Sequence, residues 1–263
     1  MNPTRWMGTA ALAAAVGLWL QPAASAGAGS WSRAEAETFL RSAAVVGIDK
    51  DAESGRTLPW IVRLEAAGVR CRAVFKPIHR PRPRIEAASY RYELAAYELA
   101  GLFDLDFIPP EVEREIDGLN GALQLFVEDC LSERDRERTD LRPPDAEDFR
   151  RRLDEIRVFE ILAGGTCADK DDILLDTSTW KVWRVDFAEA FPVDPALSVE
   201  CPFDRCPRGF YDRLLRTPRA AVERRIKAYL SDSEINALCE RKKRIVARLQ
   251  DLIREKGERA VLF

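Results

Sequence analysis

The spacing of apolar and polar residues changes several times along the chain. Trp60-Ile61-Val62-Arg63-Leu64 alternates, and so does Val69 to Phe75 after a turn at Ala66–Gly68. Alternation with period two across a glycine turn predicts a small antiparallel sheet. Residues 36–48 lead into this region through a polar turn, Asp49 to Thr57. Lys76-Pro77 closes the second strand, and Arg80-Pro81-Arg82-Pro83-Arg84 reads as a stiff basic loop because each proline fixes φ and restricts the residue before it. Ala88, Tyr92, Ala95, Leu99 and Leu102 then recur at helical spacing, predicting a long amphipathic helix over Ile85–Leu102 that Asp106 to Pro110 stops. Gly121 to Val127 is a further strand candidate.

Beyond residue 130 the pattern turns mostly helical. The charged run 132–155 reads as a solvated loop or helix face. A helix is expected over Asp145–Ala163, with Leu153, Ile156, Phe159, Ile161 and Leu162 on its apolar side, ended by Gly164-Gly165. Ile173-Leu174-Leu175 and Lys181 to Val185 predict two short strands around the turn Asp176 to Thr179. Arg219–Leu230 and Ile235–Lys256 predict helices, the second opened by the capping-box-like Ser231-Asp232-Ser233-Glu234. Sheet first and helices later imply an α+β fold, with a small N-terminal lobe over 36–130 and a larger helical lobe over 131–263.

Composition and charge narrow the function classes. The 263 residues are 46% hydrophobic and 32% charged, a globular composition. A net charge of −3 argues against a general nucleic-acid binder. The single histidine, His79, excludes a multi-histidine metal site, and any Ser-His-Asp triad would have to use it. Residues 1–26 have the layout of a secretory signal peptide: Arg5, the uncharged run Met7 to Leu20, and Ala24-Ser25-Ala26 before Gly27. The run is short for a membrane span, so cleavage after Ala26 would leave an exported, periplasmic or secreted chain with no stable span; the other reading is an uncleaved anchor. Export gives the six remaining cysteines access to disulfide pairing. Cys201 and Cys206 form the only close pair and are a candidate bridge, without the second Cys or His pair that a zinc site needs.

Four features in order carry chemistry. Ala73-Val74-Phe75-Lys76 ends a strand with a lysine, and Glu93 lies in the following helix. Gly165 to Leu175 is an acidic loop running into a strand, and Val185-Asp186-Phe187-Ala188 ends the next strand with an aspartate. Phosphoryl transfer needs such parts: a lysine on the phosphates, a helix carboxylate that positions it, acidic groups for Mg²⁺, and a carboxylate facing the attacking hydroxyl.

In these segments the chain resembles the atypical kinases related to phosphatidylinositol 3/4-kinases and to the secreted Golgi casein-kinase-type family. The resemblance spans about residues 36–263. It rests on Val74-Phe75-Lys76-Pro77, on Ser89 to Leu99, on Ile108-Pro109-Pro110, on Gly121 to Val127, and on Asp186 to Phe191, which is similar to the family's D-H-x-x-x-F turn. It implies a bilobal kinase fold that takes ATP with Mg²⁺ or Mn²⁺. Lys76 would be the phosphate lysine, Glu93 its partner and Asp186 a metal ligand, with Gln124, Val127 and Glu128 near the hinge that contacts adenine.

The catalytic loop departs from the family pattern N-T-D-R-H-x-x-N-I-L. The aligned segment runs from Gly165 to Leu174. Cys167 stands where the catalytic aspartate would be, Asp169 replaces the histidine, and Asp172 replaces the metal-binding asparagine while keeping an oxygen ligand. Cys167 reads as a small buried residue in place of a lost base, with Asp169 or Asp171 able to substitute if the loop shifts. Three functions fit: a phosphotransferase to an unidentified hydroxyl acceptor with weakened or lost activity, a pseudokinase that binds nucleotide or a partner protein, and an exported domain whose Asp169, Asp171, Asp172 and Asp176 bind Ca²⁺. The EF-hand spacing is absent, which weighs against the third.

Overall fold

A computed structural model describes residues 31–50, 59–81, 87–165 and 167–263. The leader-like residues 1–26, most of the polar turn at 49–57 and residues 82–84 of the basic loop lie outside them. The chain runs α1 (Arg33–Ser42), β1 (Ala44–Asp49), β2 (Trp60–Ala66), β3 (Val69–Lys76), β4 (His79–Arg80), β5 (Ala88–Ser89), α2 (Tyr90–Leu102), β6 (Glu111–Ile116) and β7 (Leu119–Leu125). It continues with β8 (Cys130–Ser132), α3 (Glu133–Arg138), α4 (Ala146–Ala163), β9 (Ile173–Asp176), β10 (Val182–Arg184), α5 (Arg208–Arg216), α6 (Arg219–Ile226), α7 (Asp232–Lys256) and α8 (Glu258–Val261).

The N-terminal lobe is a five-stranded antiparallel sheet in the order β1-β2-β3-β7-β6. Two hairpins share one device. Ala67-Gly68 and Asp117-Gly118 hold φ of 50° and 78°, and 53° and 76°. Two successive positive φ values match the right-handed twist of the flanking strands, which is why the second residue of each turn is glycine. The Asp117-Gly118 hairpin creates β6, a strand that the apolar alternation of Glu111–Ile116 does not announce. Register then places Lys76 opposite Ala122, Val74 opposite Gln124, and Gln124 opposite Glu111.

The expected helix over Ile85–Leu102 begins later, at Tyr90. Ala88 and Ser89 are extended and pair with β4, and Ser89 caps the helix by accepting the Arg91 N–H at 3.1 Å. The expected amphipathicity is also corrected. Nine of the thirteen α2 residues are buried, because α6 packs over the face that would otherwise meet solvent. A helix buried on nearly all sides must pair any charge it carries; Glu93 is such a charge.

The C-terminal lobe is built on α4 and α7. Asp145 caps α4 through two backbone N–H groups, and Gly164 ends it at φ 84°. Ser231 and Glu234 form a full capping box on α7. The large apolar core joins α2, α4, α5, α6 and α7 through Phe103, Phe159, Phe191, Phe210, Ile245 and Leu249. A three-stranded sheet, β10-β9-β8, lies beside it. The charged run 132–155 is largely solvent-facing, as expected, but contains the last residue of β8, all of α3 and the first half of α4. The expected division at 130/131 falls inside β8, whose Cys130 pairs with Asp176 of β9. Among the described residues no helix is long and apolar enough to cross a membrane.

Candidate functional site

The site begins at the end of β3. Lys76 is 6% exposed and donates to Glu93 Oε1 at 2.6 Å; Glu93 is 1% exposed. The second Glu93 oxygen accepts the Phe187 N–H at 2.8 Å. One carboxylate therefore fixes the lysine and also the turn that carries Asp186. Burial alone would lower the Lys76 pKa, but Glu93, Asp186 and Glu111 outweigh it and hold the ammonium charged. Burial raises the Glu93 carboxyl against the opposing pull of Lys76.

Glu111, opposite Gln124 in the sheet, is 2% exposed. It accepts from Gln124 Nε2 at 3.3 Å, while its Oε1 has no hydrogen-bond partner among the described residues. Burial first, then repulsion from Glu93, pushes its pKa well above the carboxylate range. Lys76 thus faces three acids, and Glu111, which has no ion pair of its own, is the one whose carboxyl is driven furthest toward the neutral form.

The β9–β10 hairpin brings two aspartates to its open end. Asp172 precedes β9 and Asp186 follows β10, and the Val185 N–H donates to the Asp172 carbonyl at 3.0 Å. Asp186 sits at φ 68°, a left-handed conformation rare for a residue other than glycine, and within the electrostatic reach of Lys76. Burial opposes its ionisation, but Lys76 wins and its pKa is lowered. Asp172 is pushed up to about 6, chiefly by burial, with Arg184 opposing and Asp186 adding. Both line a cleft of about 360 Å³ together with Glu160, Cys167, Asp169, Arg184 and Glu189. No group of three or more ligating side chains occurs among the described residues. Two hard carboxylates with room for water and phosphate oxygens suit Mg²⁺ or Mn²⁺, which are usually held by one or two carboxylates plus substrate phosphates.

Two cleft residues were not foreseen. Glu160 of α4, 4% exposed, accepts Arg184 Nε at 2.6 Å and the Ala168 N–H at 3.0 Å. Arg184 in turn donates to the Asp186 carbonyl at 3.2 Å and lies 3.8 Å from Asp172. The pair ties the acidic loop to the hairpin. A signal existed: Glu160 interrupts the apolar face set by Ile156, Phe159 and Ala163, which marks a buried charge in search of a partner.

The acidic loop has a different character. Asp169 and Asp171 both accept from Arg134 of α3, at 2.5 and 2.8 Å, and Lys170 pairs with Glu137 at 2.6 Å. These groups are largely exposed. The Asp171 backbone N–H and Arg134 lower the Asp169 pKa. Cys167 is exposed rather than buried, and is bonded to Cys201, 34 residues away. This corrects the expected Cys201–Cys206 bridge. Cys206 is occupied elsewhere: its backbone bridges to Leu262, its N–H donates to Val261 at 2.9 Å, and its thiol is buried.

The three hinge candidates separate. Gln124 is buried against Glu111. Val127 is half-buried, Glu128 is exposed and paired with Arg72, and both lie on the link from β7 to β8 between the lobes. None of them, nor Lys76 or Glu93, lines the acidic cleft.

No known family model matches the chain, and no curated protein matches it. Solved structures do. The structure of hydra Fam20 with sugar aligns with a TM-score of 0.66 at 16% identity, covering 88% of this chain and 91% of that one. The Golgi casein kinase aligns with a TM-score of 0.62 at 13% identity, covering 88% of this chain and 78% of that one. At such identities the likeness is one of fold: the chain has a bilobal, kinase-like architecture.

Proposed function

We propose that this chain is an exported kinase-like protein that binds ATP with Mg²⁺ or Mn²⁺ and transfers phosphoryl groups to a hydroxyl acceptor with weakened activity. The carrying observation is the buried Lys76–Glu93 pair, whose carboxylate also holds the Phe187 N–H and so sets Asp186. Lys76 presents a fixed cation to nucleotide phosphates, and Asp172 and Asp186 would hold the divalent ion, which neutralises phosphate charge when bound. Val127 and Glu128, on the link between lobes, are the candidate contacts for adenine; Gln124 supports them from behind. The Asp186 to Phe191 turn, with the Lys76 and Glu93 segments, is also the basis for relating the chain to phosphatidylinositol 3/4-kinases, from whose pattern Asp172 departs.

Cys167 specifically favours a second reading, a pseudokinase that holds nucleotide or a partner protein. A bridged sulfur accepts no proton, and Arg134 occupies Asp169, the next cleft carboxylate. Loss of a general base costs about 10²–10⁴-fold, while positioning and electrostatics remain. The leader-like residues 1–26 and the disulfide agree with an oxidising compartment. The test is thermal shift with ATP and Mn²⁺ against ATP and EDTA, then ATP hydrolysis on the same sample. Metal-dependent stabilisation with slow turnover supports transfer; stabilisation without turnover supports the binding module. No stabilisation under any condition overturns transfer and nucleotide binding alike and leaves only a module for a partner protein.

A further inference from the structure

Cys167 and Cys201 join two segments that meet at the cleft. The first is the acidic loop after α4, which carries Asp169 and Asp172. The second, residues 192–205, follows the Asp186 turn and is anchored at its start by Arg241, which donates to the Pro192 and Asp194 carbonyls at 2.8 and 2.7 Å and to the Leu162 carbonyl at 2.9 Å. The two cysteines differ in access. Cys201 is fully buried, whereas Cys167 is exposed and lines the cleft. Cys167 also sits at φ 112°, a backbone region that residues other than glycine rarely enter. Such a conformation persists only where its surroundings impose it, and here the covalent link to Cys201 is among the constraints.

We propose that the Cys167–Cys201 disulfide is a thiol–disulfide exchange site for an external dithiol, and that its opening releases the acidic loop from the 192–205 segment. Exposed disulfides are the labile ones. A thiolate attacks Cys167 Sγ, forming a mixed disulfide and expelling the Cys201 thiolate. The second thiol of the dithiol then attacks the mixed disulfide and releases Cys167. Two electrons and two protons pass from the dithiol to the two cysteines, and the dithiol leaves as its own disulfide. Asp169, Asp172, Asp186 and Glu189 line the approach to Cys167, so the reductant it suits is uncharged or cationic rather than anionic. Once open, Cys167 relaxes to negative φ and Asp169 and Asp172 lose one of their tethers.

The experiment uses the full chain, oxidised, in graded dithiothreitol, with alkylation and peptide mass read at each cysteine. Hydrogen exchange is followed over 167–172. We expect opening of 167–201 under native conditions and exchange of those amides faster by about tenfold. At low salt, anionic glutathione should react more slowly per thiolate than neutral mercaptoethanol, a gap that added salt narrows. The Cys167→Ser/Cys201→Ser variant should show the fast exchange without reductant and no further response. Reduction only at the rate of global unfolding, or identical loop exchange in both redox states, overturns the proposal. Equal reactivity of the two thiols at low salt overturns the reductant class. Mn²⁺ titration of both states, which rests on the proposed metal site, is separate: absence of binding in each would remove that function while loop exchange still decides the exchange site.

Discussion

The two ends of the proposed site, the phosphate end around Lys76 and the acceptor end around Asp169, are held by opposite means. Around Lys76 the ammonium, Glu93 and Glu111 are buried and each Glu93 oxygen has a defined partner, so one geometry is imposed, with Asp186 standing at the open side. Around Asp169 the ion pairs are exposed, each partner more than half open to solvent, and a disulfide supplies the rigid link. Buried pairs are expensive to break, whereas exposed ones contribute little and are screened by salt. If the site takes nucleotide as proposed, this arrangement predicts that binding survives mutation of the acidic loop, while transfer can be tuned or lost without unfolding the lobe.

The sharpest way to break this contrast is Lys76→Ala. It leaves Glu93, Glu111 and Asp186 facing one another without a cation. Removal of one partner of a buried pair costs about 3–5 kcal/mol. Denaturant unfolding should show a loss of that size, and nucleotide-dependent stabilisation should vanish with it. A neutral effect would mean that the pair is not buried in solution.

Next in size is the acceptor end itself. Cys167→Asp, made with Cys201→Ala so that no half-bridge remains, returns a carboxylate to the base position. Phosphotransfer should rise by about 10²-fold, within the usual general-base range, with nucleotide affinity nearly unchanged. Turnover no faster than in Cys201→Ala alone would remove the base assignment.

Gly164 tests the frame shared by both ends. It ends α4 at φ 84°, and a Cβ there would run into the Pro192 ring. Gly164→Ala should therefore destabilise by about 1–3 kcal/mol, through strain and a clash that the rigid proline ring does not relieve. Equilibrium unfolding reads it, and a stabilised variant would contradict the close approach.

Asp172 gives a pH handle on the metal. Its folded pKa is pushed up to about 6 by burial, so the unliganded protein holds a proton there that the unfolded chain has lost. That contribution to apo stability is present below the unfolded value near 3.8 and is lost as pH rises through 6. A cation must displace the same proton, so Mn²⁺ affinity moves the other way and falls by roughly tenfold between pH 7 and pH 5. Calorimetry at the two pH values checks the slope; a flat profile would take Asp172 out of the metal site.

The phosphate end was legible in the sequence because its residues stand at element boundaries. Lys76 closes an alternating run, Glu93 falls mid-helix, and Asp186 ends a strand, so topology alone brings them together. The acceptor end was not. Nothing in local pattern says that Cys167 reaches Cys201 rather than leaving Cys201 to Cys206, since that choice depends on how residues 192–205 fold back across α4. Arg184 and Glu160 were missed for the same reason, each being explained only by the other. The helix from Ile85 was placed too early because its apolar spacing continues through Ala88, a residue that tertiary pairing with β4 makes extended. Asp117-Gly118 was a readable hairpin signal, overlooked because the strand before it is rich in glutamate.

The smallest effect expected is that of Asp169→Asn. The carboxylate is more than half exposed, and its partner Arg134 keeps Asp171 as a second anchor at 2.8 Å. Loss of one arm of such a pair should leave the unfolding midpoint within error of the parent protein. Nucleotide affinity should also stand, because Lys76, Asp172 and Asp186 are untouched. Only the transfer rate distinguishes the two readings of the loop. If it is unchanged, Asp169 is a surface tether and the acceptor end lacks a working carboxylate, as the bridged Cys167 implies. If it falls by about 10²-fold or more at constant stability, Asp169 leaves Arg134 when the acceptor arrives and supplies the base itself. The contrast between the two ends would then narrow to one of access, the acceptor end being assembled on binding and the phosphate end standing ready beforehand.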